Sequence, residues 1–134
     1  MKIRNGLVSN SSSSSFVVVG YKIRYNYINK EDVMKIVNKL APLSKVDTTG
    51  REDKFQDLFY EVTNKKYDFD ILVDFNSNVM YVGSLIMNVK SDDSGVEYQE
   101  LDFFETINKC SIVKKLFEIN STTPSKIYVG EKSC

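Results

Sequence analysis

Hydrophobic and polar positions along this chain fall into short blocks whose period changes from one block to the next. Residues 16–23 are β-branched and aromatic without alternation and too few for a helix, which predicts a central strand. Asn29 then offers a helix cap, Glu31 and Asp32 occupy the first turn, and Val33, Ile36, Val37 and Leu40 recur at helical spacing, so a helix is predicted to run to about Ala41, ahead of Pro42. A second amphipathic segment over residues 51–64 places Phe55, Leu58, Phe59 and Val62 on one stripe beside Glu52, Asp53, Lys54, Asp57 and Glu61. Phe69, Ile71, Val73 and Phe75 alternate with Asp68, Asp70, Leu72 and Asp74, the period-two pattern of a strand with one buried face. The turn residues Asn76, Ser77 and Asn78 join it to a second apolar run over 79–87, which predicts a hairpin.

The remainder of the chain reads as a loop at 91–95, an extended piece at 96–101, a helical region and a last strand. In the helical region Asp102 is the cap, Phe103, Phe104, Ile107, Cys110, Ile112, Val113, Leu116 and Phe117 are the apolar positions, and a break is expected near Cys110 and Ser111. Pro124 ends it, and residues 126–130 form the short strand. With the first two helices merged into one connection, the order is β-α-β-β-α-β. This predicts an α+β fold, a single mostly antiparallel sheet with helices on one face in the ferredoxin-like order. The first and third strands, as the most continuously apolar, should be central.

A serine tract, residues 11–15 preceded by Ser9 and Asn10, separates a short basic N-terminus from the first strand. It cannot bury enough area to offset its ordering entropy, so residues 1–15 are expected to form an arm and residues 16–134 a single domain. A chain of 134 residues, 42% hydrophobic, has enough apolar surface for one core without covalent staples. Lysine plus arginine and aspartate plus glutamate both total 18, which leaves no net basic field to gather a nucleic acid. Histidine is absent, removing the commonest general base, the Ser-His and Cys-His dyads and the usual zinc ligand. Cys110 lies in an expected helix and Cys134 is the last residue of the sequence, a pair better read as reduced thiols than as a disulfide. Neither a secretory leader nor a run long enough to span a membrane is legible, so no membrane partner is expected.

Two sets of side chains are candidates for contact. Asp68, Asp70 and Asp74 fall on one face of the expected second strand, and with Asp92 and Asp93 they could meet a basic partner surface. A metal would need further oxygen ligands, and a charged outer face that blocks edge pairing is the plainer reading, so no metal or cofactor is expected. Tyr21 and Tyr25, with Tyr27 nearby and Tyr81 on the third strand, could stack a ligand ring; as core-boundary residues with wetted hydroxyls they need no ligand. The Lys/Arg-Gly-aromatic run of an RNA-binding sheet is missing, as are glycine-rich phosphate cradles. Cys110 lacks a histidine to activate it and reads as a structural thiol. Enzymatic activity is therefore disfavoured, though not tied to any residue.

The opening, Met1 to Phe16 with Val8-Ser9-Asn10 and five serines before Phe16, resembles the V-S-N-S-S-S-S-S-F start of many small uncharacterised proteins of tailed bacteriophages and prophages. Tyr81-Val82-Gly83 followed by Asp92-Asp93-Ser94-Gly95 is similar to a weaker pattern of the same proteins, with the acidic and threonine positions before the last glycine missing here. The resemblance implies a viral origin and expression in the bacterial host cytoplasm, and carries no catalytic residues with it. The expectation is an accessory protein that binds a host protein without catalysis, an antiviral-defence component for example. The alternative is a binder that sequesters a small molecule such as a nucleotide signal, and self-association stays open.

Overall fold

The computed structural model describes residues 13–87 and 102–133. In chain order the elements are β1 (Ser13–Arg24), α1 (Lys30–Ser44), α2 (Phe55–Thr63, entered through one 3-10 turn at Glu52–Lys54), β2 (Asp70–Asp74), β3 (Val79–Met87), α3 (Phe103–Leu116) and β4 (Lys126–Ser133). The four strands form one sheet in the order β2-β3-β1-β4, with every neighbouring pair antiparallel. The fold is thus α+β with a single antiparallel sheet, and β1 and β3 hold the central places. The expected loop at 91–95, the extended piece at 96–101, Asp92, Asp93 and Cys134 lie outside the described residues.

Register divides the sheet into two faces. Tyr21 and Ile23 of β1, Met80 and Val82 of β3, and Ile71 and Val73 of β2 pack with Val33, Ile36, Val37 and Leu40 of α1, Leu58, Phe59 and Val62 of α2, and Val113 of α3 in one large cluster. Phe16 and Val18 of β1 and Leu72 of β2 point the other way and form a smaller cluster with Tyr81, Leu85 and Tyr128. Phe59, Leu40, Leu58 and Met80 are among the largest fully buried side chains, so the main core lies where α1 and α2 cross β1 and β3.

Local chemistry explains most of the element ends. The Asn29 side chain accepts from the Asp32 N–H at 3.0 Å and the Asp102 side chain from the Glu105 N–H at 3.1 Å, so both expected helix caps are in place. The β2–β3 hairpin closes over residues 75–78 with Asp74 paired to Val79, and Asp74 Oδ1 accepts from the Asn76 and Ser77 N–H groups at 3.1 and 3.3 Å.

The helix predicted to stop near Ala41 instead carries Pro42 within it and ends at Ser44. Pro42 supplies no N–H to the helix, and the turn that follows it is held by Ser44 Oγ donating to the Leu40 carbonyl at 3.0 Å. Lys45 in left-handed conformation then lets the Val46 N–H reach the Ala41 carbonyl at 3.1 Å. The break expected at Cys110 and Ser111 is absent, and α3 is continuous. Ser13–Ser15, taken as the end of an arm, begin β1 and pair with Ser133, Lys132 and Glu131 of β4.

Where the two central strands meet, Gly20 lies opposite Gly83. A methyl group at Gly20 would run into the Val82 carbonyl oxygen and one at Gly83 into that of Val19, and Gly83 has a φ of +145° that other residues rarely adopt. Both obstacles are backbone atoms that cannot swing aside. Gly20→Ala is expected to lower unfolding stability by about 3 kcal/mol or more, and Gly83→Ala by at least as much. Urea denaturation of the two variants checks this, and a cost near zero would show that the strands can separate to admit a methyl.

Candidate functional site

The acidic candidates do not form one open surface. Asp68 precedes β2 and is exposed, Asp74 serves the hairpin turn, and Asp70 is engaged from two sides. Asp70 Oδ2 accepts from the Leu85 N–H at 2.9 Å and from Lys109 Nζ at 3.0 Å, and Lys109 also reaches Glu105 Oε1 at 3.1 Å, one helical turn back. Burial by itself would lower the Lys109 pKa, but the hydrogen bonds and charges of Asp70 and Glu105 outweigh it and hold the ammonium above its ordinary range. The trio fastens α3 to the β2 edge of the sheet. Among the described residues no three acidic or cysteine side chains come together in a way that could hold a metal ion.

The tyrosine candidates are divided between the faces. Tyr21 and Tyr25 are buried in the helix-side cluster, whereas Tyr81 lies on the helix-free face. Tyr25 packs its ring against Phe59 at 5.0 Å between centroids, and its hydroxyl is buried with no hydrogen-bond partner among the described residues. Burial, with lesser contributions from Tyr27 and Asp74, pushes that hydroxyl up to about 12. Tyr81 has a different set of neighbours, with Tyr128 at 5.1 Å and Phe16 at 5.9 Å between ring centroids and Lys22 Nζ 5.8 Å above the Tyr128 ring. Tyr128, Phe16 and Lys22 belong to this row and were not picked out with Tyr81 from the sequence. Their common signal is parity, since Phe16, Val18, Gly20 and Lys22 share one face of β1 and the register brings Tyr128 opposite Val18 and Tyr81 opposite Lys22.

The surface that departs most from an ordinary exterior is on the other side. Thr106, Cys110 and Val113 turn α3 onto the sheet: Thr106 Oγ1 meets Ser84 Oγ at 3.3 Å, and the Cys110 thiol donates to the Val19 carbonyl at 3.3 Å. Burial pushes that thiol up, away from the reactive thiolate. Lys109 leans towards β2, so the opposite flank of α3, carrying Phe103, Ile107 and Lys114, faces the β1–β4 side; Lys114 Nζ accordingly sits 5.9 Å above the Tyr21 ring of β1. Phe103, Phe104 and Ile107 are 71%, 83% and 50% exposed. Beyond β1, Ile127 and Val129 of β4 stand opposite Val19 and Val17 on the same face and are 68% and 74% exposed. Among the described residues five large apolar side chains therefore lie uncovered along the first half of α3 and the sheet edge beside it, an arrangement typical of contact surfaces.

Hollows elsewhere differ in size. One of about 190 Å³ lies between the end of β1 and α1, with Arg24, Lys35 and Lys39 at its rim and Phe117 and Ile119 in its wall. It is smaller than the roughly 300 Å³ at which ligand pockets begin. A wider polar depression of about 550 Å³ follows α2 past Tyr27, Gln56, Tyr60 and Glu61. No helix among the described residues is long and apolar enough to cross a membrane. Comparison with protein-family models, curated proteins and solved structures finds no match to this chain.

Two expected outcomes follow from these environments. Asp70→Asn removes the charge that Lys109 meets in a partly exposed site, and should cost about 1 kcal/mol at neutral pH. Because the Lys109 pKa is raised in the folded state, that contribution is whole below the ordinary lysine value and fades as the pH climbs through the higher folded one. Urea titrations from neutral to strongly alkaline pH would show the two proteins converging, and a constant gap would assign the cost to the Leu85 hydrogen bond instead. Tyr25→Phe deletes a hydroxyl that is desolvated without compensation, so stability at neutral pH should be unchanged or higher by up to about 1 kcal/mol. Above pH 10, where the unfolded tyrosine ionises and the buried one resists, the wild-type protein should then weaken more steeply than the variant; a Tyr25→Phe variant clearly less stable at neutral pH would contradict the assignment.

Proposed function

We propose that this chain is a phage or prophage accessory protein that acts without catalysis, by binding a protein of the bacterial host such as an antiviral-defence component. The observation that carries the reading is the exposed apolar ridge of Phe103, Phe104 and Ile107 at the start of α3, two of the three aromatic. Aromatic side chains held on a rigid helix are the usual anchors of protein contacts, since they bury much area while losing little conformational entropy. α3 is tied to the sheet by Lys109 on Asp70 and by Thr106 on Ser84, so the ridge is presented on a backbone that is already ordered. The phage-like opening of the sequence supports the viral side of the proposal, and the partner's class follows from it.

The helix-free face favours a second reading, a small-molecule binder in which Tyr81 and Tyr128 hold an aromatic ring and Lys22 an attached anion. Its support is the 5.1 Å Tyr81–Tyr128 pair with Lys22 above it.

Affinity capture from a bacterial lysate tests the first reading. The wild-type chain should retain one host protein in stoichiometric amount, and Phe104→Ser should weaken that complex about 30-fold, the loss of an aromatic hot spot, while leaving the fold intact. Retention of the same protein at unchanged affinity by Phe103→Ser and Phe104→Ser variants would move the contact elsewhere. A thermal-shift screen with nucleotides tests the second: a ligand at 100 times its Kd adds about 2.7 kcal/mol of stability, and Tyr128→Ala should abolish that gain.

A further inference from the structure

β4 ends the sheet, and its outer edge is paired with no other described strand. Edge strands are normally blunted by proline, a bulge, an inward charge or an unusually short run. β4 has neither proline nor bulge, since its register with β1 continues unbroken from Lys126 to Ser133 and Pro124 falls before it; its charges, Lys126, Glu131 and Lys132, stand towards the two ends and leave the centre, Ile127-Tyr128-Val129, without one. Ile127 and Val129 moreover expose most of their surface on the helix-bearing side, where α3 stops short of them. An open ladder with an apolar row beside it is a template for another strand.

The order of residues in β4 decides what that strand is. An antiparallel copy of β4 related by a two-fold axis through Tyr128 opposes Ile127 with Val129 of the second copy, and Val129 with Ile127. It opposes Lys126 with Gly130 and Ser125 with Glu131, so no like charges face one another. An axis through Val129 opposes Ile127 with Glu131. An axis between Tyr128 and Val129 opposes residues whose backbone groups point out of the edge with residues whose groups point to β1, so no ladder forms. Only the Tyr128-centred register buries all four apolar side chains together.

We propose that β4 is the dimerisation strand of this protein, joining two copies antiparallel about Tyr128 into one eight-stranded sheet. Such a contact is isologous and closes on itself, so it consumes the β4 edge of both copies and does not propagate through that strand. Both sets of helices lie on one side of the joined sheet, with Ile127 and Val129 of each copy forming the floor between the two α3 helices, and Phe103 and Ile107 of each copy on the flanks facing that floor. Phe104 remains outward in both copies. The contact rests on β4 and not on any host partner, so it stands or falls independently of the function proposed above.

Interfaces of this extent lie below about 1,200 Å² in total, and association is accordingly concentration-dependent. Sedimentation equilibrium of the full chain over a wide concentration range should show the mass rising from one chain to two and no further. Ile127→Lys and Val129→Lys place a charge at exposed positions that the fold does not bury, and both should keep the circular dichroism spectrum and hold the mass at one chain. A Tyr128→Cys substitution made together with Cys110→Ser and Cys134→Ser should give a covalent dimer under mild oxidation, and an Asp53→Cys control in the same background should not. A single-chain mass at the highest concentration, growth beyond two chains, or a dimer that persists in Val129→Lys would each overturn the proposal.

Discussion

The seam between the helix-side row of β1 and β3 and the paired helices α1 and α2 is what the other features depend on. Phe59, Leu40, Leu58, Val33, Val37 and Val62 reach full burial there against Met80 and Val82, and such side chains contribute roughly 1.5 to 3 kcal/mol each in area removed from water. α3 has a lighter attachment. Only Thr106 and Val113 of its residues are buried, and it is held in place by polar contacts: Lys109 on Asp70, Thr106 on Ser84, Cys110 on the Val19 carbonyl. Of its apolar side chains Val113, with Cys110 and Leu116 beside it, packs on the core, and Phe103, Phe104 and Ile107 face outwards.

That division also accounts for what could be read in the sequence. The stripe of α1 and α2, the alternation of β2 and the Asn and Asp caps are local patterns, and each produced the element it predicted. What could not be read depends on partners distant in the chain. The row Asp68, Asp70 and Asp74 looked like a solvated face because nothing near it announces Lys109, whose ammonium reaches Asp70 from 39 residues away. Tyr21 and Tyr81 looked like companions because both sit on central strands, yet the register sets Tyr81 opposite Lys22, one residue along β1, and a shift of one residue changes face. In α3, Phe103, Phe104, Ile107 and Ile112 spread round the helix together with Cys110 and Val113, so no stripe marks which side is the core. Pro42 was read as a stop from steric preference alone, without the Ser44 and Lys45 contacts that complete the turn.

The two faces of the sheet present different chemistry as a result of one topological choice. Placing every helix on the side of Tyr21 and Val82 leaves the side of Val18 and Tyr81 to its own aromatic side chains, which close over Val18 themselves. On the helix side, among the described residues, three helices lie against a four-stranded sheet, and none of them covers the outermost strand, β4. The open apolar surface is therefore a product of the arrangement of elements.

The Gly20–Gly83 crossing bears on how the chain selects this sheet among others it could build. Sliding β1 by two residues against β3 would keep every side chain on its proper face and so escape correction by hydrophobic burial. The slide would, however, bring Val18 or Lys22 to the place that Gly20 holds beside the Val82 carbonyl, where no Cβ fits. The pair of hydrogens thus acts as a key that turns in one alignment only, excluding the misfolded sheets that polarity alone would accept.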